Sequence, residues 1–164
     1  MINKFNHLKD IKNTQPANFK SIFPGMIITF TYHGKKILDK NPLILFLYYD
    51  PKNKLVDGLN LNYLSDYRFK GLFEKFKNTT KVVTRDEKTS KLLGEDFTFI
   101  SIPPTSKLSR IKSRSERRVE MQRMYQKLIS YSSGHGGSYG YKDIYRSYSV
   151  KNIKSLKAVN LKNY

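Results

Sequence analysis

Between Lys107 and Lys127 the chain places eight cations, Lys107, Arg110, Lys112, Arg114, Arg117, Arg118, Arg123 and Lys127, opposed only by Glu116 and Glu120. Cations on one rigid element suit a row of phosphates. Each neutralised phosphate releases condensed counterions, and Arg adds paired hydrogen bonds to phosphate oxygens. Arg146, Lys151 and Lys154 extend the candidate set further along the chain. The competing reading is a solvated helix face held by pairs such as Glu120 with Arg123, but two acids cannot balance eight bases.

Other residues that could do chemistry carry less. The run Gly134-His-Gly-Gly-Ser-Tyr-Gly-Tyr141 offers backbone amides for a phosphate and tyrosines for unpaired bases. No Gly-Lys-Ser/Thr follows it and no strand sets up a dinucleotide fingerprint, so it reads as a linker. His7, His33 and His135 lack metal-ligand spacing and read as surface or turn residues. Asp50 and Asp57 flank a hairpin, and Glu95-Asp96 precede a possible strand. Carboxylates of this kind hold magnesium in nucleases, but the acid-x-Lys partner is missing here. No Ser-His-Asp arrangement is legible, and the absence of Cys removes thiolate chemistry and disulfides. The expectation is a binding protein without catalytic residues, metal or cofactor.

The elements that must position these side chains follow from pattern. Residues 1–21 are polar and read as a flexible arm, Pro16 discouraging helix. Met26–Tyr32, rich in β-branched and aromatic types, reads as a strand, and Leu43–Tyr49 as a more central one. A third strand covers Leu55–Tyr63, with Leu59, Leu61 and Tyr63 on one side and Asn60 and Asn62 on the other. Gly58 within it signals a bulge or a close backbone approach. Three strands on short turns make an antiparallel meander or small barrel. Ser65 or Asp66 then caps a helix that packs through Tyr67, Leu72, Phe73 and Phe76. Val82-Val83 and Phe97–Ile100 read as edge strands.

A long helix is expected over Ser106–Ser130, its apolar stripe made by Leu108, Ile111, Val119, Met124, Leu128 and Ile129. The break in that stripe at Lys112–Arg118 predicts a protruding stretch. Residues 132–141 form a Gly/Ser-rich hinge, and Asp143–Leu156 returns to helix. The fold class is thus α+β: a β-rich core over 22–106 with one helix, then a basic helical extension over 107–164.

Charge favours the same division. The chain holds 31 Lys and Arg against 13 Asp and Glu, a net charge of +18. Residues 107–164 carry 14 of the bases and 3 of the acids, so the excess is concentrated there. A Lys- and Asn-rich composition also arises from an A/T-rich genome, but that bias would not gather charge in one segment. Hydrophobic residues make up 38% of the chain, a modest share that 12 Tyr and 10 Phe partly offset by burying large areas. No apolar run is long enough to span a bilayer, and the first twenty residues lack the apolar centre of a secretory signal. Together these predict a cytoplasmic or particle-bound location and no membrane partner.

Three stretches, Pro24-Gly-Met-Ile-Ile-Thr-Phe-Thr-Tyr32, Pro42-Leu-Ile-Leu-Phe-Leu47 and Gly58-Leu-Asn-Leu-Asn-Tyr-Leu64, resemble a family of small tailed-phage proteins patterned PGxxYxFxY, PLIxxL and GLNLHYL. Tyr145-Arg-Ser-Tyr148 and Val150-Lys-Asn-Ile-Lys154 resemble its later part. The family is that of DNA-end protectors, particle proteins that shield packaged DNA ends from exonucleases. This chain departs at Ile28, at Asn62 and in the basic stretch 107–127. The resemblance implies a virion or host-cytoplasm location and other phage structural proteins as partners; it carries over no catalytic residue.

The expected function is non-enzymatic, sequence-independent binding of double-stranded DNA in a tailed-phage particle or its assembly, as end protection or in the head or neck. The alternatives are an RNA- or ribosome-associated module, and a structural adaptor whose basic tail docks an acidic partner.

Overall fold

The computed structural model describes residues 7, 14–34, 39–77, 80–82, 98–100, 102, 105–129 and 141–160. Its centre is a six-stranded antiparallel sheet in the order β1-β8-β2-β3-β4-β7, open at both edges and not closed into a barrel. In chain order, β1 is Thr14–Pro16, β2 Ile27–Tyr32, β3 Leu43–Asp50 and β4 Leu55–Asn60. A 3-10 turn over Leu61–Tyr63 leads to helix α1, Asp66–Lys77. β5 (Thr80–Val82) and β6 (Thr98–Ile100) pair with each other as a separate two-stranded ribbon. Helix α2 is Arg114–Tyr125, helix α3 is the single turn Tyr141–Ile144, and β7 (Tyr145–Ser149) and β8 (Ile153–Val159) complete the large sheet.

β3 is apolar along almost its whole length because both of its faces are covered. Leu43, Leu45, Leu47 and Tyr48 join one buried cluster with α1 and α2; Ile44 and Phe46 join another with Met26, Phe30 and Tyr148. Leu47 and the adjacent Tyr48 share a face because the β3–β4 register slips between Phe46–Gly58 and Tyr48–Asp57, an extra residue on β3. Gly58 sits at that slip. A Cβ there would lie 2.3 Å from Ile44 Cγ2 and 2.6 Å from the Leu45 carbonyl oxygen, so the strands approach too closely for any side chain. A second slip lies between β2 and β8, where Ser155 adopts φ 55°, a left-handed conformation unusual for a residue with a Cβ.

Several expectations give way. The segment 143–156 is not the expected helix: after the end of α3 at Ile144 it enters the large sheet as β7 and β8, on β4 and between β1 and β2 respectively, joined by a 3-10 turn. The 3-10 turn at Val150–Asn152 and the bulge at Ser155 break strict alternation, spacing Ile144, Tyr148, Ile153 and Leu156 much as a helix would. Within 107–164, β7 and β8 belong to the same sheet as β2, β3 and β4. The arm is not loose where it is described: β1 pairs with β8, and Ala17, Phe19, Ile22 and Phe23 pack on the sheet. His7, expected at the surface, is 2% exposed, stacks on Phe69 at 3.9 Å, and its Nε2 donates to the Leu64 carbonyl at 2.7 Å. Tyr67, expected in the packing face of α1, is exposed, while Phe69 and Leu72 are buried. Leu59, Leu61 and Tyr63 do share one cluster, although the strand ends at Asn60. The hinge expected at 132–141 lies outside the described residues except for Tyr141.

Candidate nucleic-acid interface

The basic stretch is shorter as a helix than its sequence suggests. Leu108–Arg110 is a 3-10 turn, and α2 begins only after Ser113, whose hydroxyl accepts from the Glu116 amide at 3.4 Å. Ser113-Arg-Ser-Glu116 is the S-x-x-E signature of a helix start. Met121 and Tyr125 are fully buried, Ile111, Met124 and Leu128 pack beside them, and Val119 stands 70% exposed.

The stretch expected to protrude is instead the one that docks. Arg114 Nη1 donates to Asp50 Oδ2 at 2.9 Å, and its Nη2 donates to Asp57 Oδ1 and Ser147 Oγ, both at 2.8 Å. Arg117 Nη2 donates to Asp50 Oδ2 at 3.0 Å, and Nη1 to the Ile111 carbonyl at 2.6 Å. Ser147 Oγ donates to Asp57 Oδ1 at 2.5 Å. Asp50 and Asp57 are each 1% exposed and Arg117 7%. Buried charges persist only when paired, and Asp50, Asp57 and Arg117 each have an oppositely charged partner here, with only Arg117 Nε of these groups left without a hydrogen bond among the described residues. Burial alone would raise the Asp50 pKa; hydrogen bonds from Asn53, the charge of Arg117 and a hydrogen bond from Arg114 outweigh it and hold the group at about 2. Arg114 and Arg117 are thus committed to holding α2 on the sheet and are withdrawn from the phosphate-contacting set.

The remaining candidates divide. Lys107 and Arg123 are exposed but both engage Glu120, Lys107 at 3.1 Å. Arg110, Lys112, Lys127, Lys151 and Lys154 are exposed at the surface. Arg118 is exposed as well and lies over the Tyr145 ring at 5.3 Å. Arg146 is half-buried, its Nη1 donating to the carbonyls of Asp143 and Tyr145, with its guanidinium 4.6 Å from the centre of the Tyr63 ring.

Arg118 and Arg146 meet in a groove of about 500 Å³ between α2 and the α3–β7 corner. Lys142 is the third cation of its lining, Tyr141 and Tyr145 its aromatic residues, and Ser115 and Gln122 its further polar ones. The two rings stack at 5.6 Å. Burial pushes both phenols up, Tyr145 to about 12, so each stays a protonated donor near neutral pH. Lys142, Tyr141 and Tyr145 were not among the residues expected to bind. Their own segment read as linker and helix, and no spacing rule links them to Arg118.

No protein-family model matches the chain, and no curated protein or solved structure is similar to it. Among the described residues, no group of three or more His, Asp or Glu is placed to hold a metal ion, and no helix is long and apolar enough to cross a membrane.

Proposed function

We propose that the protein binds double-stranded DNA through its phosphate backbone, without reading sequence and without catalysing a reaction. The observation that carries this reading is the convergence of Arg118, Lys142 and Arg146, from α2, α3 and β7, on one groove with no carboxylate in its lining. Of the acids around the basic helix, Asp50 and Asp57 beneath it and Glu120 along it are engaged in ion pairs, and Glu116 and Asp143 are exposed outside the lining of the groove. Asp39 is buried too, accepting from Asn60 and Asn62 at 3.0 Å. Cations gathered in a groove whose lining holds no carboxylate attract a polyanion, and the strength of that attraction is set by counterion release. The resemblance of the three strand motifs to tailed-phage DNA-end protectors supports placing this activity in a phage particle or its assembly.

Fluorescence anisotropy with a labelled duplex of arbitrary sequence tests the reading. Affinity should fall linearly in log–log form with salt, with a slope of roughly −4 to −7 at about 0.9 per phosphate contact. A second duplex of unrelated sequence should give the same curve. A slope near −1, strong preference for one sequence, or preference for structured RNA over duplex DNA defeats the proposal.

A further inference from the structure

Tyr49 stands apart within β3. Every other residue of that strand is buried, whereas Tyr49 is 37% exposed. It pairs with Val56, whose side chain belongs to the cluster around Phe30 and Phe46, so it faces away from α2 and the basic groove. Phe19 lies beside it, half-buried, with ring centres 6.4 Å apart and planes 25° from parallel. The loops next to both rings are tied down from within. Asn18 Oδ1 accepts from the Lys20 and Ser21 amides at 2.9 and 3.1 Å. Asp50 Oδ1 accepts from the Lys52 and Asn53 amides, each at 3.1 Å.

The same loops bring charge. Lys20, Lys52 and Lys54 are exposed and form no ion pair among the described residues. Asp50, the acid of the β3–β4 turn, is directed inward to Arg114 and Arg117. Lys54 has φ 53°, a left-handed conformation that ordinarily selects Gly or Asn, so the turn keeps a cation where a smaller residue would fit with less strain. A half-open aromatic surface flanked by unpaired cations, on two constrained loops, has the composition of a single-strand site. Every base offers a π-face to stack, and Lys meets the phosphates. Insertion into a lipid surface fits less well, because Ile22 and Phe23 of the same loop pack against the sheet.

We propose that Phe19 and Tyr49 form a platform on which one unpaired base of a DNA single strand stacks, its neighbouring phosphates met by Lys20, Lys52 and Lys54. The choice of a nucleic-acid base over another flat anion rests on the reading above. A double helix cannot use this platform, because its bases already stack on one another. The platform and the basic groove lie on opposite faces of the sheet, so a single strand and a duplex can be held at once.

Fluorescence anisotropy of the intact protein tests this with a short oligothymidine strand and an abasic strand of equal length. The abasic strand carries the same phosphates and no bases, and should bind roughly fivefold more weakly or worse. Tyr49→Ala should weaken oligothymidine roughly 5- to 150-fold, Tyr49→Phe should stay near wild type, and neither should alter the salt slope of duplex binding. Equal affinity for the two strands overturns the proposal. So does unchanged oligothymidine affinity in Tyr49→Ala with its thermal midpoint retained. Should Tyr49→Ala fail to fold, the abasic comparison on the unaltered protein decides alone. Binding to phosphatidylserine vesicles without binding to the strand overturns it in favour of a membrane surface. Duplex binding with no strand binding removes the platform alone. Tyr49-dependent strand binding without duplex affinity removes the backbone reading and leaves the platform.

Discussion

Arg114 Nη2 lies 2.8 Å from Asp57 Oδ1, so the first residue of α2 is fastened to the interior of β4. The contact closes a network in which Asp50, Asp57, Arg114, Arg117 and Ser147 draw together β3, β4, α2 and β7. It turns two residues of a basic run into fold-holding parts, and the other cations of α2 take their positions from it.

Removing Arg117 should therefore damage the fold rather than merely reduce charge. Arg117→Met leaves Asp50 short of one buried partner, and breaking such a pair costs on the order of 3–5 kcal/mol. Arg114→Gln should cost less, because a quarter of that side chain is exposed and solvent screens it. Urea unfolding of both variants checks the order. Equal, negligible losses would mean that α2 is held by Met121 and Tyr125 alone.

Groove cations should behave in the opposite way. Arg118→Gln with Lys142→Gln should make the salt dependence of duplex binding shallower by roughly 2, at about 0.9 per lost contact. Gln keeps a helix propensity close to that of Arg, so circular dichroism should show α2 intact. A slope unaltered in the folded double variant moves the interface to another exposed cation set, such as Lys151 and Lys154.

Acid should weaken the protein through Asp50. Its pKa is lowered in the folded state from an ordinary 3.8 to about 2. The stability it confers is complete above the unfolded value and is lost as pH falls from about 4 through about 2. Thermal midpoints across that window should drop less steeply in Asp50→Asn, from a lower starting value at neutral pH. Glu120, held down to about 2 by Arg123 and Lys107, titrates in the same window. Glu120→Gln is the control, expected to change the curve little because this pair is at the surface.

The centre of the sheet has little tolerance in either direction. Leu45 is fully buried between β2 and β4, so Leu45→Ala should lose on the order of 2–5 kcal/mol through burial and cavity. Gly58→Ala should lose about 1–3 kcal/mol or more, since its methyl group meets Ile44 and the Leu45 carbonyl. Differential scanning calorimetry reads both. A Gly58→Ala midpoint equal to wild type would mean the β3–β4 slip relaxes freely.

The meander β2-β3-β4 was legible because its residues announce themselves locally. Leu43–Tyr49 is apolar in a run too short for a helix, and Gly58 marks a close approach. The end of the chain was not, because Val150–Asn152 and Ser155 interrupt alternation and imitate helical spacing. The docking role of Arg114 and Arg117 was hidden for another reason. Charge type says nothing of whether the opposite charge lies in solvent or 57 to 67 residues away on a strand. Asp50 and Asp57 stood out in sequence as acids flanking a hairpin, and Ser113-x-x-Glu116 marked the true helix start. Taken together, they would have pointed to an internal ion pair at the stretch expected to protrude.

β8 lies between β1 and β2, so Thr14 and Ile27 both pair with Val159. During synthesis, β1 has no strand to join and β2 keeps an unsatisfied edge until nearly all of the described chain has emerged. The β2-β3-β4 hairpins close early, but the sheet waits for its latest strand, which makes folding slow in the way that distant pairings impose. A chain cut short before Ile153 would keep the full meander yet expose the apolar edge of β2. Such a product should pass from soluble to aggregated over the loss of a single strand, not fade gradually with each residue removed.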